Sequence, residues 1–378
     1  MSDIGRFPTE PLPAVFTGSR TYDLSESTTA DLRLGDLIDL IGEESVRDFD
    51  LGYGDTIQGS LTFRQEISQR CGVTADEVIT SQGASLALYL VAAELAPAES
   101  QAIITAPYYQ QAYNTLKANG WDVSVVQNSF EQNYRLNVHG ILELLTEQTR
   151  LVSIASPQNP SGVSVPVAEI KKLIRAMGEK SPDAYLLVDE TYREAAFDRA
   201  KILPSVAALS PRVLTCSSIS KAYGAPGLRA GWLTVTDPDL RKRFIVAKQN
   251  IVICDSSLTE KLATAVLSHS PTILKQQREH LAPALELVTA WQAAESEYLD
   301  WVAPDAGALC CMRLNKTRYE EADLEKFWQA LADNDTLVRS GLQFGSDIRH
   351  FRLGFGHVPF AQLEAGLQNI SKALQTAA

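Results

Sequence analysis

Short apolar runs alternate with amphipathic stretches along much of the chain, from about Gly59 to Thr236. The apolar runs are rich in Val, Ile, Leu and Thr, end at turn residues or polar breaks, and read QAIITAP, DVSVVQ, LVSIASP, AYLLVDE, RVLTCSSIS and RAGWLTV. Because these runs are short and nearly continuous, they predict strands that are buried on both faces. The stretches between them have helical spacing: SLALYLVAAELA, QQAYNTLKANG and VAEIKKLIRAMGE. This alternation predicts an α/β fold with a mainly parallel sheet flanked by helices.

The two ends of the chain have a different pattern. The N-terminal segment is loop-like apart from one predicted helix, DLRLGDLIDLIGEE, whereas after Asp237 the helices lengthen, as in PTILKQQREHLAPALELVTAWQAAESE. The C-terminal segment mixes short strands with helices. We therefore expect a large domain over residues 46–285 and a smaller α+β domain made from the N-terminal segment 1–45 and the C-terminal segment 286–378.

Composition narrows the class of protein. The 378 residues carry 34 Lys and Arg against 46 Asp and Glu, a formal net charge of −12, which disfavours a nucleic-acid partner because phosphate contact needs a basic face. No apolar run reaches the length of a membrane span, and the N-terminus lacks the pattern of a signal peptide. The five cysteines form no CxxC pair, so we expect a cytoplasmic protein without disulfides or a metal site.

Polar residues follow several of the predicted strands, at the sheet edge where ligands bind in this class of fold. They are Asn159, Asp189 and Lys221, together with the turn Gly83-Ala84-Ser85 that opens a predicted helix. An isolated lysine is ordinarily a solvated surface charge, an isolated aspartate after a strand a helix cap, and an Asn-Pro pair a turn. Lys221, however, lies in SSISKAYGAPGLRAGW among serines and an arginine. An amine there can form a Schiff base with an aldehyde, and a hydroxyl–arginine cluster can hold a phosphate.

The pattern SxSKxxxxxGxRxGW, which covers residues 218–232, resembles the cofactor-lysine motif of the fold-type-I pyridoxal phosphate enzymes, class I/II aminotransferases in particular. Further motifs follow in that family's order from about Tyr53 to Arg352. The resemblance implies that pyridoxal phosphate is held as an aldimine on Lys221. The substrates would then be an amino acid and a 2-oxo acid, and Lys221 would move the proton as general base and acid. Burial beside the cationic Arg229 is expected to help keep the displaced amine neutral.

The resemblance also implies which residues contact the cofactor ring. Asp189 would pair with the ring nitrogen, while Tyr192 and Asn159 would contact the ring hydroxyl. In APYYQQAY the family's spacing places Tyr109 over the ring, with Tyr108 as the neighbouring alternative.

The phosphate and substrate contacts are implied in the same way. The helix start Gly83-Ala84-Ser85, with Ser218 and Arg229, would bind the phosphate. Tyr53 resembles the tyrosine that reaches the cofactor of the other subunit, which implies a homodimer with shared active sites. Arg352 in FRLGFG would bind the substrate carboxylate, with Asn159 beside it; an exposed arginine on a terminal strand is the alternative.

One segment departs from the family's pattern. Where many aminotransferases have a glycine-containing loop over the substrate, this chain has Ser25, Glu26 and Ser27. The reaction could therefore be that of an oxidase, a lyase or a cyclase of specialised metabolism, although transamination is the leading prediction. A non-catalytic regulator is disfavoured because the N-terminal segment is too short for a DNA-binding domain. Glu26 and Asp255 are candidates to face a cationic substrate side chain, and no second arginine has a clear spacing for a side-chain carboxylate.

Overall fold

The computed structural model describes residues 6–8, 12–54, 57–96 and 100–378, so residues 1–5 and 9–11 of the predicted N-terminal segment lie outside the described residues. The strands are β1 Tyr22–Asp23, β2 Val78–Ser81, β3 Gln101–Ala106, β4 Asp122–Gln127, β5 Thr149–Ala155, β6 Tyr185–Asp189, β7 Val213–Ser218, β8 Gly231–Val235, β9 Leu299–Val302, β10 Leu309–Leu314, β11 Thr336–Leu337, β12 Arg339–Ser340 and β13 His350–Gly354. The helices are α1 Leu34–Ile41, α2 Glu44–Arg47, α3 Leu61–Cys71, α4 Gly83–Glu94, α5 Gln110–Ala118, α6 Val138–Leu144, α7 Val167–Lys180, α8 Pro238–Val252, α9 Ser257–Ser268, α10 Ser270–Ala294, α11 Glu321–Asp333 and α12 Phe360–Ala377. Among these residues, no helix combines the length and the apolar character that crossing a bilayer requires.

The large sheet has the strand order β2-β8-β7-β6-β5-β3-β4. Its neighbours from β7 to β4 pair in parallel, while β8 is antiparallel to both β7 and β2. Alternate strand residues pack against helices on opposite faces: Leu187 lies in one core with Leu88 and Phe244, and Val188 lies in another with Leu173. The predicted α/β fold with a mainly parallel sheet flanked by helices is thus confirmed.

Two details of the sheet differ from the expectation. The run DVSVVQ forms β4, but β4 is not buried on both faces, since Val126 is buried while Val125 is exposed. The reason is its position at the end of the sheet, where it pairs with β3 alone among the described strands. The strand β2 was not predicted, because four residues are too short a run to give a strand pattern.

A second, antiparallel sheet of order β12-β13-β10-β9 lies in the C-terminal region. The N-terminal segment joins it, because β1 pairs in parallel with β11 and the amide of Gly354 donates to the carbonyl of Leu24. Phe16 and Leu24 share one hydrophobic core with α11, α12 and this sheet. The smaller α+β unit is therefore built from both ends of the chain, while the boundaries at residues 45 and 285 stay a prediction.

The helix α8 carries a lysine that is fully buried. Lys248 Nζ lies 2.6 Å from Asp255 Oδ2 and 3.0 Å from Thr80 Oγ1, so this amine ties α8 to β2 and to the segment before α9. On the same helix Lys242 lies 3.4 Å from Asp239, but both of those side chains are largely exposed. The helix thus offers a buried and an exposed lysine–aspartate pair for comparison.

We expect Lys248→Met to lower the free energy of unfolding by about 3–5 kcal/mol, because it leaves a buried carboxylate without its cation. The matched change Lys242→Met should cost less than about 1 kcal/mol, since the exposed pair is solvated. Urea unfolding followed by tryptophan fluorescence measures both values. Equal unfolding midpoints for the two variants would contradict this assignment.

Candidate active site

A cavity of about 470 Å³ opens at the carboxyl ends of the parallel strands, between the large sheet and the second sheet. The predicted site residues that line it are Ala84, Ser85, Tyr109, Asn159, Asp189, Tyr192, Ser218, Lys221, Arg229 and Arg352. Gly83, the first residue of α4, is buried and does not itself line the cavity, although the next residue, Ala84, does. Tyr53 does not line the cavity, and its side chain is exposed. The fold thus brings together predicted cofactor and substrate residues from Ala84 to Arg352, which are 268 positions apart in the sequence.

Lys221 follows β7, and its amine donates a hydrogen bond to Ser27 Oγ over 3.0 Å. Burial, followed by the positive charge of Arg352, lowers the pKa of Lys221 to about 8. Arg229 also lowers this pKa, as the sequence led us to expect, but its effect is smaller than that of Arg352. About a tenth of the amine is therefore neutral at pH 7, far more than for an ordinary lysine, and the neutral form is the one that acts as a nucleophile or a base.

Ser27 is a contact that the sequence pattern did not assign. Its hydroxyl is buried and also accepts a hydrogen bond from Tyr192 Oη over 2.9 Å. Burial raises the pKa of Tyr192, so the phenol keeps its proton. Lys221 and Tyr192 are thus joined through one serine hydroxyl of the N-terminal segment.

Asp189 ends β6 at the floor of the cavity. Its Oδ1 accepts from the backbone amide of Thr191 at 3.0 Å and from the Thr191 hydroxyl at 2.6 Å. Burial raises the pKa of the Asp189 carboxyl, against the opposing effect of these hydrogen bonds and of Lys221. A cation placed beside this carboxylate would stabilise its charged form.

Arg352 lies on β13 and is buried, so it is not the exposed arginine that was the alternative. Its Nη1 donates to Asn159 Oδ1 over 2.9 Å, its Nη2 donates to the carbonyl of Ser25, and its guanidinium lies 5.0 Å from the Phe344 ring centroid. Burial lowers the pKa of Arg352. No carboxylate of the described residues forms an ion pair with it, so a carboxylate from a ligand would supply the missing negative charge.

A second arginine, Arg339, also lines the cavity, although no clear spacing pointed to one. It lies directly opposite Arg352 in the pairing of β12 with β13, so both side chains are on the same face of the sheet. Its Nη2 lies 3.8 Å from Glu26 Oε1, and both side chains remain partly exposed. Glu26 therefore faces the cavity as one of the candidates for a cationic substrate side chain. Asp255, the other candidate, does not, because it is paired with Lys248 away from the cavity.

The first turn of α4 opens toward the cavity without a side-chain cap at Gln82. Gly83 has a φ of +73°, and a Cβ built there would lie 2.7 Å from Arg229 Nη2, so the glycine gives the guanidinium its place beside the helix start. Ser218, at the end of β7, is the hydroxyl on the same wall. Free backbone amides at a helix start with an adjacent guanidinium form an anion site.

The aromatic candidates separate clearly. Tyr109 lines the cavity at the start of α5. Tyr108 instead stacks on Tyr113, with ring centroids 5.0 Å apart, and packs against Gly345. Of the two tyrosines, only Tyr109 has a ring in position to cover a flat ligand in this cavity.

Pyridoxal phosphate fits these residues. The uncapped start of α4 beside Arg229 suits a phosphate, and the carboxylate of Asp189, destabilised by burial, suits a protonated ring nitrogen. Lys221 supplies an amine that is partly neutral near neutral pH, which suits a bond to an aldehyde. The geometry therefore provides a partner for each polar end of the cofactor.

Comparisons with known proteins agree with this arrangement. Capreomycidine synthase of Streptomyces vinaceus is 29% identical over 79% of this chain and 75% of its own length. Arginine–pyruvate transaminase of Pseudomonas aeruginosa is 28% identical over 80% of this chain and 77% of its own length. Among solved structures, a PLP-dependent aminotransferase from Streptococcus suis has a TM-score of 0.85 at 24% identity, with 94% of each chain covered. The PLP-dependent cyclase OrfR has a TM-score of 0.85 at 23% identity, with 100% of each chain covered.

The two solved structures are similar to this chain in fold. Beyond these single relatives, residues 50–370 match the family described as aminotransferase class I and II. That range contains all of the predicted cofactor residues, from Tyr53 to Arg229, as well as Arg352, the predicted site for the substrate carboxylate. The chain therefore belongs to the class I and II aminotransferases, and it is an enzyme whose cofactor is pyridoxal phosphate.

Proposed function

We propose that this enzyme transfers the amino group of an amino acid to a 2-oxo acid, with pyridoxal phosphate bound to Lys221. The observation that carries the proposal is that a partly neutral Lys221 amine and a buried Arg352 line the same cavity. The arginine provides a site for the carboxylate that both an amino acid and a 2-oxo acid carry. The lysine provides a base whose pKa, at about 8, is close to neutral pH.

The residues divide the chemistry between them. When bound, pyridoxal phosphate withdraws electrons from the carbon that bears the substrate's amino group and so makes its hydrogen acidic. Asp189 would hold the protonated ring nitrogen of the cofactor, and Arg352 with Asn159 would bind the substrate carboxylate. Lys221 Nζ would be the base that takes this hydrogen as a proton and the acid that gives the proton back.

The remaining contacts orient the cofactor in this proposal. Arg229, Ser218 and the first turn of α4 bind the phosphate, while Tyr192 and Asn159 contact the ring hydroxyl. Tyr109 covers one face of the ring and limits the access of water to it.

A second candidate, a lyase or a cyclase on the same cofactor, is favoured by one observation. Ser25, Glu26 and Ser27 stand where many aminotransferases have a glycine-containing loop, and the Ser27 hydroxyl lies 3.0 Å from the Lys221 amine. One relative is named as a synthase and one structural neighbour as a cyclase. An oxidase remains a further member of this group of reactions.

We also propose that the amino donor has a basic side chain. The carboxylate of Glu26 faces the cavity and is held only loosely by Arg339, at 3.8 Å. A relative named arginine–pyruvate transaminase supports arginine as the first donor to test. The guanidinium of such a donor would compete with Arg339 for Glu26.

We propose, too, that the enzyme is a homodimer with shared active sites. Leu51 and Tyr53 are 80% and 86% exposed, and Ile253 is 58% exposed. These apolar side chains lie on adjacent segments, because Ser257 Oγ donates to the carbonyl of Gly52 over 2.9 Å. Exposed apolar side chains concentrated on one surface favour an interface with a second copy of this chain.

A cytoplasmic location is the last part of the proposal. The five cysteines are all free thiols, and four of them are buried. Burial raises the pKa of the Cys71 thiol to about 12, which keeps it unreactive. Unpaired thiols of this kind support a reducing compartment.

A single-turnover experiment without acceptor and without oxygen tests the reaction type. Mixing the loaded enzyme with a panel of amino acids should release about one equivalent of 2-oxo acid per active site and no ammonia, because the nitrogen stays on the cofactor until an acceptor arrives. Addition of a 2-oxo acid should then release the corresponding amino acid. Release of ammonia, or turnover that begins only when oxygen is admitted, would establish the lyase or oxidase alternative instead.

Among the amino acids of this panel, arginine should react faster than alanine, and steady-state assays with a 2-oxo acid acceptor measure kcat/KM for each. Glu26→Gln should lower kcat/KM for arginine by about 10- to 100-fold, the value of one hydrogen bond to a charged group, and should leave alanine nearly unchanged. Equal losses for the two amino acids would place Glu26 outside the side-chain site.

Mixed dimers test the shared site. A Lys221→Ala chain combined with a Tyr53→Phe chain should regain activity, because one of the two sites in each heterodimer then has both residues intact. The control pair, Lys221→Ala with Arg229→Ala, should regain none, since both residues line the cavity of one chain and each site stays damaged. Heterodimers that form without any regained activity in the first pair would rule out a contribution of Tyr53 across the interface.

A further inference from the structure

We propose that Ser27 is a positioning residue for Lys221: its hydroxyl holds the lysine amine in place whenever that amine is not bonded to the cofactor. The inference rests on the proposed role of Lys221. It assigns a task to the segment in which this chain departs from the family's pattern. No other side chain of the described residues forms a hydrogen bond with Lys221 Nζ.

The position of Ser27 is fixed by its backbone neighbours. The amide of Leu24 donates to the carbonyl of Leu337, and Arg352 donates to the carbonyl of Ser25. The backbone at Glu26 approaches Gly354 so closely that a Cβ at that glycine would overlap the Glu26 carbonyl oxygen. Ser27 itself is only 4% exposed. Its hydroxyl is therefore held at the cavity wall and is shielded from bulk solvent.

The hydrogen-bond pattern makes this hydroxyl suitable for both protonation states of Lys221. Tyr192 stays protonated, because burial raises the pKa of the phenol, and its hydroxyl donates a hydrogen bond to Ser27 Oγ. The hydroxyl retains one lone pair and its own hydrogen. It can accept from the ammonium form of Lys221, and it can donate to the neutral amine.

The hydrogen bond has a measurable consequence for the lysine. The hydrogen bond accepted from the ammonium form is stronger than the one donated to the neutral amine, because the ammonium is charged, so Ser27 holds the pKa of Lys221 above the value that burial and nearby cations alone would give. The charged groups that act on the amine are Arg352, Glu26, Arg229 and Asp189, and a change at Ser27 leaves all four in place. Loss of the hydroxyl should therefore lower the pKa of Lys221 further.

Competitive labelling of the full-length chain, freed of cofactor, measures this pKa directly. Trace fluorodinitrobenzene is applied across a pH series, and the labelled Lys221 peptide is quantified by mass spectrometry against Lys275, whose side chain is 72% exposed. In the unchanged chain, labelling of Lys221 should rise through about pH 8. In Ser27→Ala the midpoint should fall by roughly one pH unit, which corresponds to one hydrogen bond to a charged group.

Two variants serve as controls. Ser27→Thr keeps a hydroxyl and should retain the midpoint of the unchanged chain. Ser25→Ala removes an equally buried hydroxyl two residues away that has no hydrogen-bond partner among the described residues, and it should leave the midpoint unchanged. If Ser27→Ala fails to fold, Ser27→Cys replaces it, because the thiol is similar in size but a weak hydrogen-bonding group, and the midpoint should fall.

A second readout uses the loaded enzyme. The acid limb of the kcat–pH profile should move to lower pH in Ser27→Ala by the same amount as the labelling midpoint, because the base must be neutral to act. An unchanged labelling midpoint in Ser27→Ala, or an equal shift in Ser25→Ala, would overturn the assignment of Ser27. Neither result bears on transamination, which the single-turnover experiment tests separately.

Discussion

The site is organised around cations that are buried without sufficient protein anions. Arg352 is buried, makes its hydrogen bonds to neutral acceptors, and lies opposite Arg339 on the neighbouring strand. Lys221 is close enough to Arg352 for that charge to lower its pKa. Because an unpaired buried charge is costly, the cavity is best completed by anions from outside the chain. A carboxylate beside Arg352 meets this requirement, and the more exposed Arg229 beside the start of α4 offers a site for a phosphate; both anions belong to the proposed reaction.

The fold makes this arrangement possible by bringing strand ends and the N-terminal segment to one place. Asp189 and Ser218 end adjacent parallel strands, β6 and β7, so their side chains reach the same edge of the sheet. Ser27 comes from the N-terminal segment. In that segment β1 pairs with β11, and the next residue, Leu24, accepts a hydrogen bond from the amide of Gly354 in β13. Lys221 thus follows a strand of the large sheet, whereas Ser27, which accepts its hydrogen bond, belongs to a segment that is hydrogen-bonded to the second sheet.

Much of this was predictable from local patterns. The apolar runs predicted β3, β4, β5, β6, β7 and β8, and the turn Gly83-Ala84-Ser85 marked the start of α4, because apolar runs and helix starts leave strong local signals. The strand β2 was missed because it is too short for a pattern. The strand β4 was predicted, but not its exposure, which follows from its position at the end of the sheet. Ser27 and Arg339 were missed as contacts for another reason. Their roles depend on pairings between segments more than 190 and 300 residues apart, as Lys221–Ser27 and Arg339–Glu26 show, and no local signal records such pairings.

In the proposed function, Lys221 holds the cofactor in this cavity. Reduction of the loaded protein with borohydride, followed by digestion and mass spectrometry of the peptides, tests it most directly. We expect the reduced cofactor to be fixed covalently to the peptide that contains Lys221, and Lys221→Ala protein to carry no such adduct on any lysine. Cofactor fixed to a different lysine in the unchanged protein, or a tightly bound cofactor that borohydride fixes to none, would contradict it.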